Sequence, residues 1–187
     1  MLSKLKKGNI GEQIIFNEID KLDIYKKIIV NVKIPTKNSD TQIDLIIITC
    51  NGIYVVESKN WNGIISRSKK DDWYVIYSFK IRKRVNSPVK QNQYHIDYLS
   101  KFLTLNPAYF KSYIVFNKKN KLKDNCLIAD ENVIILKSDE IVNKIIHDIK
   151  NQDILLTHEE IDKLYAKIKY MNIWVNIIYI IGNKILY

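Results

Sequence analysis

The chain has 187 residues, a formal net charge of +10 and a sequence pI near 9.4. Its 47% hydrophobic content, with 5 Gly and 3 Pro, excludes a disordered or collagen-like chain and fits one globular domain. Cys50 and Cys126 are too few for a disulfide framework, so the composition favours a cytoplasmic protein. We expect no signal peptide and no integral membrane segment, because the longest apolar stretch, 173–181, is shorter than the roughly 20 residues of a membrane span.

The first third of the chain predicts one helix followed by three strands. Ile15, Ile19 and Leu22 recur at helical spacing and predict a helix over 9–22. The dipeptide Asn51-Gly52 is typical of a two-residue hairpin turn, because both residues tolerate positive φ. Apolar runs rich in β-branched residues predict strands over 28–34, 42–49 and 53–59, with a turn-rich stretch at 36–41.

The rest of the chain alternates strands and helices. Alternating apolar residues from Trp73 to Ile81 predict one further strand over 73–81. Ser87 and Pro88 form a cap and first-turn pair, which predicts that a helix begins there. The remaining predicted elements are strands over 111–116 and 132–136 and helices over 138–150 and 157–171. This order predicts an α/β fold with a mixed central sheet, flanking helices and C-terminal helices.

The predicted hairpin groups three charged side chains. With Asn51-Gly52 as the turn, Asp44 would stand opposite Lys59, and Glu57 would lie two residues before Lys59 on the same strand. Side chains two residues apart share a face of a sheet, so these three residues converge at one end of an otherwise apolar face. Two carboxylates and an ammonium group are costly to bury unless they are paired or bound to a cation.

Two interpretations of this cluster stand side by side. In the first, it is a structural ion triad in which Lys59 neutralises one or both carboxylates. In the second, Asp44 and Glu57 hold a divalent metal ion, and Lys59 positions the attacking water and offsets developing negative charge. Hard carboxylate oxygens suit Mg²⁺ or Mn²⁺.

Two polar residues on the predicted helices add to this pattern. Glu12 begins the row of residues on the first helix that we expect to face the core, so its carboxylate could join the charged cluster. The alternative is that Glu12 only supplies a favourable negative charge near the helix N-terminus. Gln91 lies in the first turn of the helix after Pro88, where the alternative is a solvated polar residue. His95 follows one turn later; we expect it to be a packed or solvated helical histidine, and the alternative is a group that lies near Gln91 and supports the site.

Four short motifs occur in order along the chain. They are Gly11-Glu12, Thr41-Gln42-Ile43-Asp44, NGIYVVESKN over 51–60 and NSPVKQN over 86–92. The Glu-x-Lys element within the third motif is common by itself, whereas the four together resemble the NERD, or nuclease-related, domain. That family is similar to the PD-(D/E)xK superfamily, the restriction-endonuclease-like fold, and the resemblance covers about residues 8–105.

The resemblance implies a role for five residues. Asp44 and Glu57 match the metal-binding acidic residues, and Lys59 matches the catalytic lysine. Glu12 matches the glutamate of the first helix, as a ligand of the metal or of its water, and Gln91 matches a site-orienting glutamine. Ile43 replaces the proline of the superfamily's name, and Ser58 occupies the middle of Glu-x-Lys; we expect little effect from either departure.

The excess positive charge favours a polyanionic partner, either nucleic acid or an acidic membrane surface. Much of it falls between residues 67 and 90, which we call the basic segment; there we expect basic side chains to bind nucleic-acid phosphates. The alternative is a solvated charged hairpin with its aromatic residues in the core. A second group of lysines, at 118, 119, 121 and 123, is predicted to lie in a loop. The basic residues of the segment are Arg67, Lys69, Lys70, Lys80, Arg82, Lys83, Arg84 and Lys90.

The implied activity is Mg²⁺- or Mn²⁺-dependent hydrolysis of phosphodiester bonds by an endonuclease, in DNA rather than RNA. Two alternatives are a silent nucleic-acid-binding module of the same fold and an adaptor that associates with a membrane or a partner through its tail. The tail also leaves homodimer formation open. The predicted single domain, 1–187, comprises a nuclease-like core over 8–116, an extension over 117–172 and an apolar tail over 173–187, which we expect to pack on the domain.

Overall fold

A computed structural model of the chain describes residues 7–34, 41–127 and 132–184, and the side chains of residues 12–34, 41–127 and 132–174. The helices are α1 (Lys7–Asp20), α2 (Pro88–Leu103), α3 (Asp124–Leu127), α4 (Ile141–Asn151) and α5 (His158–Lys184), with a 3-10 turn at Pro107–Tyr109. The strands are β1 (Lys26–Ile34), β2 (Thr41–Thr49), β3 (Gly52–Lys59), β4 (Ile64–Arg67), β5 (Trp73–Ser78), β6 (Ile81–Val85), β7 (Phe110–Phe116), β8 (Lys121–Leu122) and β9 (Val133–Lys137).

The main sheet has five strands in the order β1-β2-β3-β7-β9. The pairs β1–β2 and β2–β3 are antiparallel, whereas β3–β7 and β7–β9 are parallel. Residues of α2 and α5, including Ile96 and Ile161, pack on one face, and residues of α1 and α4, including Ile15 and Ile145, pack on the other. The predicted α/β fold with a mixed central sheet, flanking helices and C-terminal helices is therefore confirmed.

The β2–β3 turn differs from the predicted one by a shift of register. Thr49 pairs with Gly52, so the turn residues are Cys50 and Asn51 rather than Asn51 and Gly52. Tertiary contacts fix this choice, because the Cys50 carbonyl accepts hydrogen bonds from the amides of residues 155 and 156 at 2.7 and 3.0 Å. The Asn51 side chain donates to the carbonyls of residues 152 and 153 at 2.9 and 3.1 Å.

The shift changes which residues oppose one another but not the faces they occupy. Ile46 pairs with Val55 and not with Glu57, and the pairing ends at Leu45 and Val56. Continued by one residue, this register would bring Asp44 opposite Glu57 rather than Lys59. Because the register moved by two residues, an even number, the charged residues of β3 keep the face that the sequence predicts.

A second sheet has four strands in the order β6-β5-β4-β8. The single strand predicted over 73–81 is wrong: β5 ends at Ser78, the chain reverses, and Ser78 pairs with Ile81 of β6. Alternation of apolar residues continues across the reversal, and neither Phe79 nor Lys80 is a typical turn residue, so the sequence pattern does not reveal it. Trp73 is fully buried, whereas Tyr77 and Phe79 are exposed and do not join the core.

The C-terminal helix begins as predicted and continues further. Thr157 and Glu160 cap its first turn. The Thr157 amide donates to the Glu160 carboxylate at 2.8 Å, and the Glu160 amide donates to the Thr157 hydroxyl at 3.2 Å. Ile173 and Trp174 begin the predicted tail and are 45% and 63% exposed; the tail's later side chains, like the predicted turn at 36–40, lie outside the described residues. Within the described part of the chain, no helix is both long and apolar enough to span a membrane.

Candidate active site

The pairing of β1 with β2 is irregular where Asp44 lies. Asn31 of β1 stands opposite Asp44 and has a positive φ of 55°, with regular β1–β2 pairs on both sides of it. Consequently Ile43 and Leu45, which would share a face in a regular strand, pack into different core clusters. The irregularity sets Asp44 at the boundary between the two faces.

Strands β2 and β3 separate at the same place. Their last backbone pair is Leu45 with Val56. Beyond it, the backbone amide of Ser58 donates to Oδ2 of Asp44 at 2.8 Å, so a side chain replaces the usual backbone acceptor. This bond holds the Asp44 carboxylate beside the end of β3, next to Glu57.

Glu57 and Lys59 form the centre of the site. The Glu57 side chain is 2% exposed, and Nζ of Lys59 donates to its Oε1 at 2.5 Å. The Lys59 ammonium also donates to Oε1 of Gln91 at 3.1 Å and lies 5.8 Å from the centre of the Trp61 ring. Lys59 is 16% exposed, so its ammonium keeps access to solvent.

The structure brings one residue into the site that the sequence analysis did not assign to it. His95 is completely buried, and its Nδ1 lies 3.5 Å from Oε2 of Glu57. Its Nε2 lies 3.1 Å from Oγ1 of Thr41, at the start of β2. The available signal was its position one helical turn after Gln91, which places both residues on one face of α2.

Local anchors fix α2 over the sheet. Ser87 caps the helix, accepting a hydrogen bond from the Lys90 amide at 3.2 Å. The Asn92 side chain is buried and donates at 2.8 Å both to the Val55 carbonyl and to Oγ of Ser112. Because these bonds join α2 to β3 and β7, they also hold Gln91 and His95 against the charged end of β3.

The electrostatics of the site disfavour negative charge. Burial, together with the charge of Asp44, raises the pKa of Glu57 to about 7, although Lys59 opposes the shift. Burial also raises the pKa of Asp44, against the hydrogen bond from Ser58 and the charge of Lys59. Burial and the charge of the nearby Lys59 together lower the pKa of His95 to about 4. A bound cation would relieve the strain between the two carboxylates.

Glu12 lies at the margin of this cluster. It is half-buried on α1, and its pKa is raised by burial and by the charge of Asp44. Among the side chains that the structure describes, no three His, Cys, Asp or Glu residues are close enough to form a ready metal-ligand group. Asp44 and Glu57 are thus brought together, and direct ligation by Glu12 stays a prediction.

The basic segment contains strands β5 and β6 of the second sheet and ends in the first turn of α2. Arg67 is 14% exposed and bonds to Asp71 at 2.6 Å, Lys90 lies 3.5 Å from Asp71, and Arg84 is paired with Asp72. Asp71 also accepts hydrogen bonds from the Trp73 ring at 2.9 Å and from the Ser87 hydroxyl at 3.0 Å. The segment is thereby tied to the start of α2. The exposed remainder comprises Lys69, Lys70, Lys80, Arg82 and Lys83.

The chain is similar to known proteins over most of its length. An uncharacterized protein of Bacillus anthracis is 30% identical over 169 residues, which cover 89% of this chain and 77% of the relative. The crystal structure of a protein of unknown function, AF1548, covers 86% of this chain and 97% of its own at 13% identity; its TM-score of 0.36 is too low to carry an argument. Residues 7–117, more than half of the chain, match the family described as "Nuclease-related domain" (NERD). The chain therefore belongs to the nuclease-related domain family.

Proposed function

We propose that this protein hydrolyses phosphodiester bonds in nucleic acid with the help of a divalent cation, Mg²⁺ or Mn²⁺, and that DNA is preferred to RNA. The observation that supports this most strongly is the convergence of Asp44, Glu57 and Lys59 at the point where β2 and β3 separate. Two carboxylates with raised pKa values and one partly exposed ammonium group lie there together. Membership of a nuclease-related family supports a function on nucleic acid.

The donor groups fit a hard divalent cation. Asp44 and Glu57 supply carboxylate oxygens, which Mg²⁺ and Mn²⁺ prefer. Oε2 of Glu57 is buried and has no hydrogen-bond partner among the described residues, which leaves it available as a ligand. A cation bound to these carboxylates would polarise a phosphate oxygen and lower the pKa of a water molecule.

The remaining residues have roles that follow from their positions. Lys59 lies between Glu57 and Gln91 and can place positive charge beside a phosphate whose negative charge increases during the reaction. Gln91 orients the Lys59 ammonium through its 3.1 Å hydrogen bond. Glu12 belongs to this proposal as an indirect contributor, because its carboxylate is coupled to that of Asp44.

A second candidate function is a silent nucleic-acid-binding module of the same fold. The 2.5 Å contact between Lys59 and Glu57 favours it, because an ion pair of this kind neutralises the carboxylate without any metal. The absence of a ready three-ligand group among the described side chains points the same way. Turnover in the presence of a metal ion separates this candidate from the nuclease.

The test is cleavage of supercoiled plasmid and of labelled DNA and RNA oligonucleotides in Mg²⁺, in Mn²⁺ and in EDTA. We expect cleavage that requires the metal, that is faster on DNA and that is lost in Glu57→Gln. Glu159→Gln is the matched control, since this glutamate is 77% exposed on α5 and its loss should leave the rate unchanged. Metal-dependent binding without cleavage by the wild type would favour the silent module.

A further inference from the structure

Two adjoining cavities lie between the end of β3 and the tip of the β5–β6 hairpin. The first, of about 400 Å³, is lined in part by Trp61, whose ring centre lies 5.8 Å from the Lys59 ammonium. It shares Gly63 and Lys119 with the second, of about 510 Å³, which is lined in part by residues 76–79 at the hairpin tip. We call these two cavities together the hairpin groove.

One wall of the groove is a row of lysines attached to the end of β3. The backbone amide of Asn117 donates to the Lys59 carbonyl at 3.2 Å, so the lysine-bearing segment starts directly beside the site. It continues into β8, where Lys121 pairs with Ile64 of β4. The lysines predicted to lie in a loop are therefore partly in a strand of the second sheet.

The lysines occupy exposed positions along this segment. Asn120 is buried and Leu122 is partly buried, whereas Lys119, Lys121 and Lys123 between and beside them are all exposed. Lys119 lies in the turn that the Asn120 amide closes by donating to the Asn117 carbonyl at 2.8 Å, and Lys121 and Lys123 flank Leu122 after it. All three lysines line the cavity of about 510 Å³, where their ammonium groups can contact the phosphates of a nucleic-acid strand.

The charge of the groove is uncompensated. No Asp or Glu is among the residues that line the two cavities. Within the described ranges, Lys119, Lys121 and Lys123 form no salt bridge, in contrast to Arg67 and Arg84 of the basic segment. A polyanion is the chemical partner that such a surface favours.

The far end of the groove exposes large apolar side chains together. Phe79 is 102% exposed and Tyr77 is 53% exposed, and the neighbouring Ile81 is 60% exposed. Single exposed apolar residues are ordinary, but a cluster at the tip of a hairpin indicates contact with a partner. Aromatic rings beside basic side chains are the combination that binds unpaired bases by stacking.

We infer that the hairpin groove binds single-stranded nucleic acid, with Phe79 and Tyr77 stacked on unpaired bases and Lys119, Lys121 and Lys123 on phosphates. A duplex does not suit this surface, because its bases stack on one another and offer no free face to the two rings. The strand would run along the groove toward Lys59. This inference rests on the proposed function and deepens it by naming the class of substrate.

Binding to fluorescent oligonucleotides of one length, single-stranded and duplex, tests the inference by anisotropy in Ca²⁺ and, separately, in EDTA. We expect the wild type to bind the single strand at least tenfold more tightly than the duplex. Phe79→Ala and Tyr77→Ala should each weaken single-strand binding about tenfold, and Phe79→Trp should retain it. Changing Lys119, Lys121 and Lys123 together to Ala should reduce the slope of log K against log salt by about 2.

Matched control variants remove an aromatic ring or three lysines from parts of the surface outside the groove. Tyr170→Ala removes an aromatic ring that is 65% exposed on α5, and joint replacement of exposed lysines 101, 150 and 169 by Ala lowers the net charge by the same amount. We expect neither control to change the preference for single strands. Unchanged melting temperatures of all variants would show that losses of affinity do not arise from unfolding.

Three results would overturn the inference. They are equal or tighter binding of the duplex, full affinity in the Tyr77→Ala, Phe79→Ala double variant, and binding of the wild type to phosphatidylserine vesicles but not to oligonucleotides. These outcomes concern binding alone. Failure of the wild type to cleave any substrate in Mg²⁺ or Mn²⁺ would instead count against the proposed hydrolysis, so the two failures are distinguishable.

Discussion

Oε2 of Glu57 and Nδ1 of His95 face each other at 3.5 Å, and neither atom has a hydrogen-bond partner among the described residues. Both side chains are buried. If Thr41 Oγ1 donates to Nε2, then Nδ1 carries the hydrogen on the side of the ring that faces the carboxylate, an assignment made from the hydrogen-bond pattern. We infer that His95 restricts the orientation of Glu57 and thereby supports the proposed metal site.

Replacing His95 should weaken metal binding through Glu57. We expect His95→Phe to reduce Mn²⁺ affinity by about tenfold to a hundredfold, the usual effect of removing a group that orients a metal ligand. His95→Asn should recover part of the loss, since its amide can donate from nearly the position of Nδ1. Isothermal titration calorimetry with Mn²⁺ measures this. Equal affinities in the wild type and in His95→Phe would make His95 a packing residue only.

Replacing Asp44, Glu57 or Lys59 with Ala should each lower the cleavage rate by about a thousandfold or more, because the metal and its counter-charges supply several kcal/mol. The fold should survive. Glu57→Gln and Asp44→Asn should hold or raise the melting temperature of the metal-free protein, because each removes like-charge repulsion and Asn keeps an acceptor for the Ser58 amide. Unfolding of all these variants would indicate a structural ion cluster.

Glu57 and His95 should affect stability with opposite dependence on pH. Folded Glu57 keeps its proton up to pH about 7 although its ordinary pKa is 4.5, so the stability it contributes is present below pH 4.5 and is lost as pH rises to about 7. Folded His95 stays neutral down to pH about 4 although its ordinary pKa is 6.5, so its contribution is present above pH 6.5 and is lost as pH falls to about 4. Each amounts to roughly 3 kcal/mol at about 1.4 kcal/mol per pKa unit.

Denaturant unfolding from pH 4 to pH 8 in EDTA separates the two contributions. In the wild type they oppose each other between pH 4.5 and 6.5. In His95→Phe the rise of stability that His95 causes should disappear. In Glu57→Gln the fall that Glu57 causes should disappear, and the only falls left are those due to Asp44 and Glu12, whose pKa values burial also raises. The same slope in both variants would contradict the assignment.

Glu12→Gln should lower the cleavage rate less than Glu57→Gln and should raise the Mg²⁺ concentration needed for half-maximal rate. The reason is that Glu12 comes from a half-buried position on α1 and is coupled to the site through the charge of Asp44, so its effect on the metal should be indirect. Rates measured over a series of Mg²⁺ concentrations check this. Equal losses in the two variants, without recovery at high Mg²⁺, would contradict the ranking.

Replacing Arg82, Lys83 and Arg84 together with Ala should weaken binding to every DNA sequence tested. All three are exposed on β6, although Arg84 is paired with Asp72. For duplex DNA each lost phosphate contact should reduce the slope of log K against log salt by about 0.9, so three would reduce it by about 2.7. Titrations in Ca²⁺ at several salt concentrations measure the slope. No change would show that these residues form an ordinary solvated face.

Local patterns predicted much of this structure. The Ser87 cap, the reciprocal caps of α5 and the apolar stripes of the helices depend on neighbours in sequence, and each appears as expected. The face of β3 that carries the charged side chains was predicted correctly although the turn was not. The predicted register was wrong by two residues, and side chains return to the same face every two residues.

The sequence patterns did not predict the features that depend on contacts between residues far apart in the chain. The chain reverses between β5 and β6 at Phe79 and Lys80, which are not typical turn residues. The alternation of apolar residues therefore predicted one strand where the structure has two. The role of His95 depends on Asn92 holding α2 across β3 and β7, which no spacing along one helix reveals. The exposure of Tyr77 and Phe79 follows from the same reversal.

The most direct test of the account is a crystal of the wild-type protein grown or soaked in Mn²⁺ and measured at a wavelength where manganese scatters anomalously. We expect an anomalous peak within coordination distance of both Asp44 and Glu57, and no such peak in Glu57→Gln crystals treated identically. Absence of a peak in the wild type at millimolar Mn²⁺, with Lys59 still bound to Glu57, would contradict the proposed metal site.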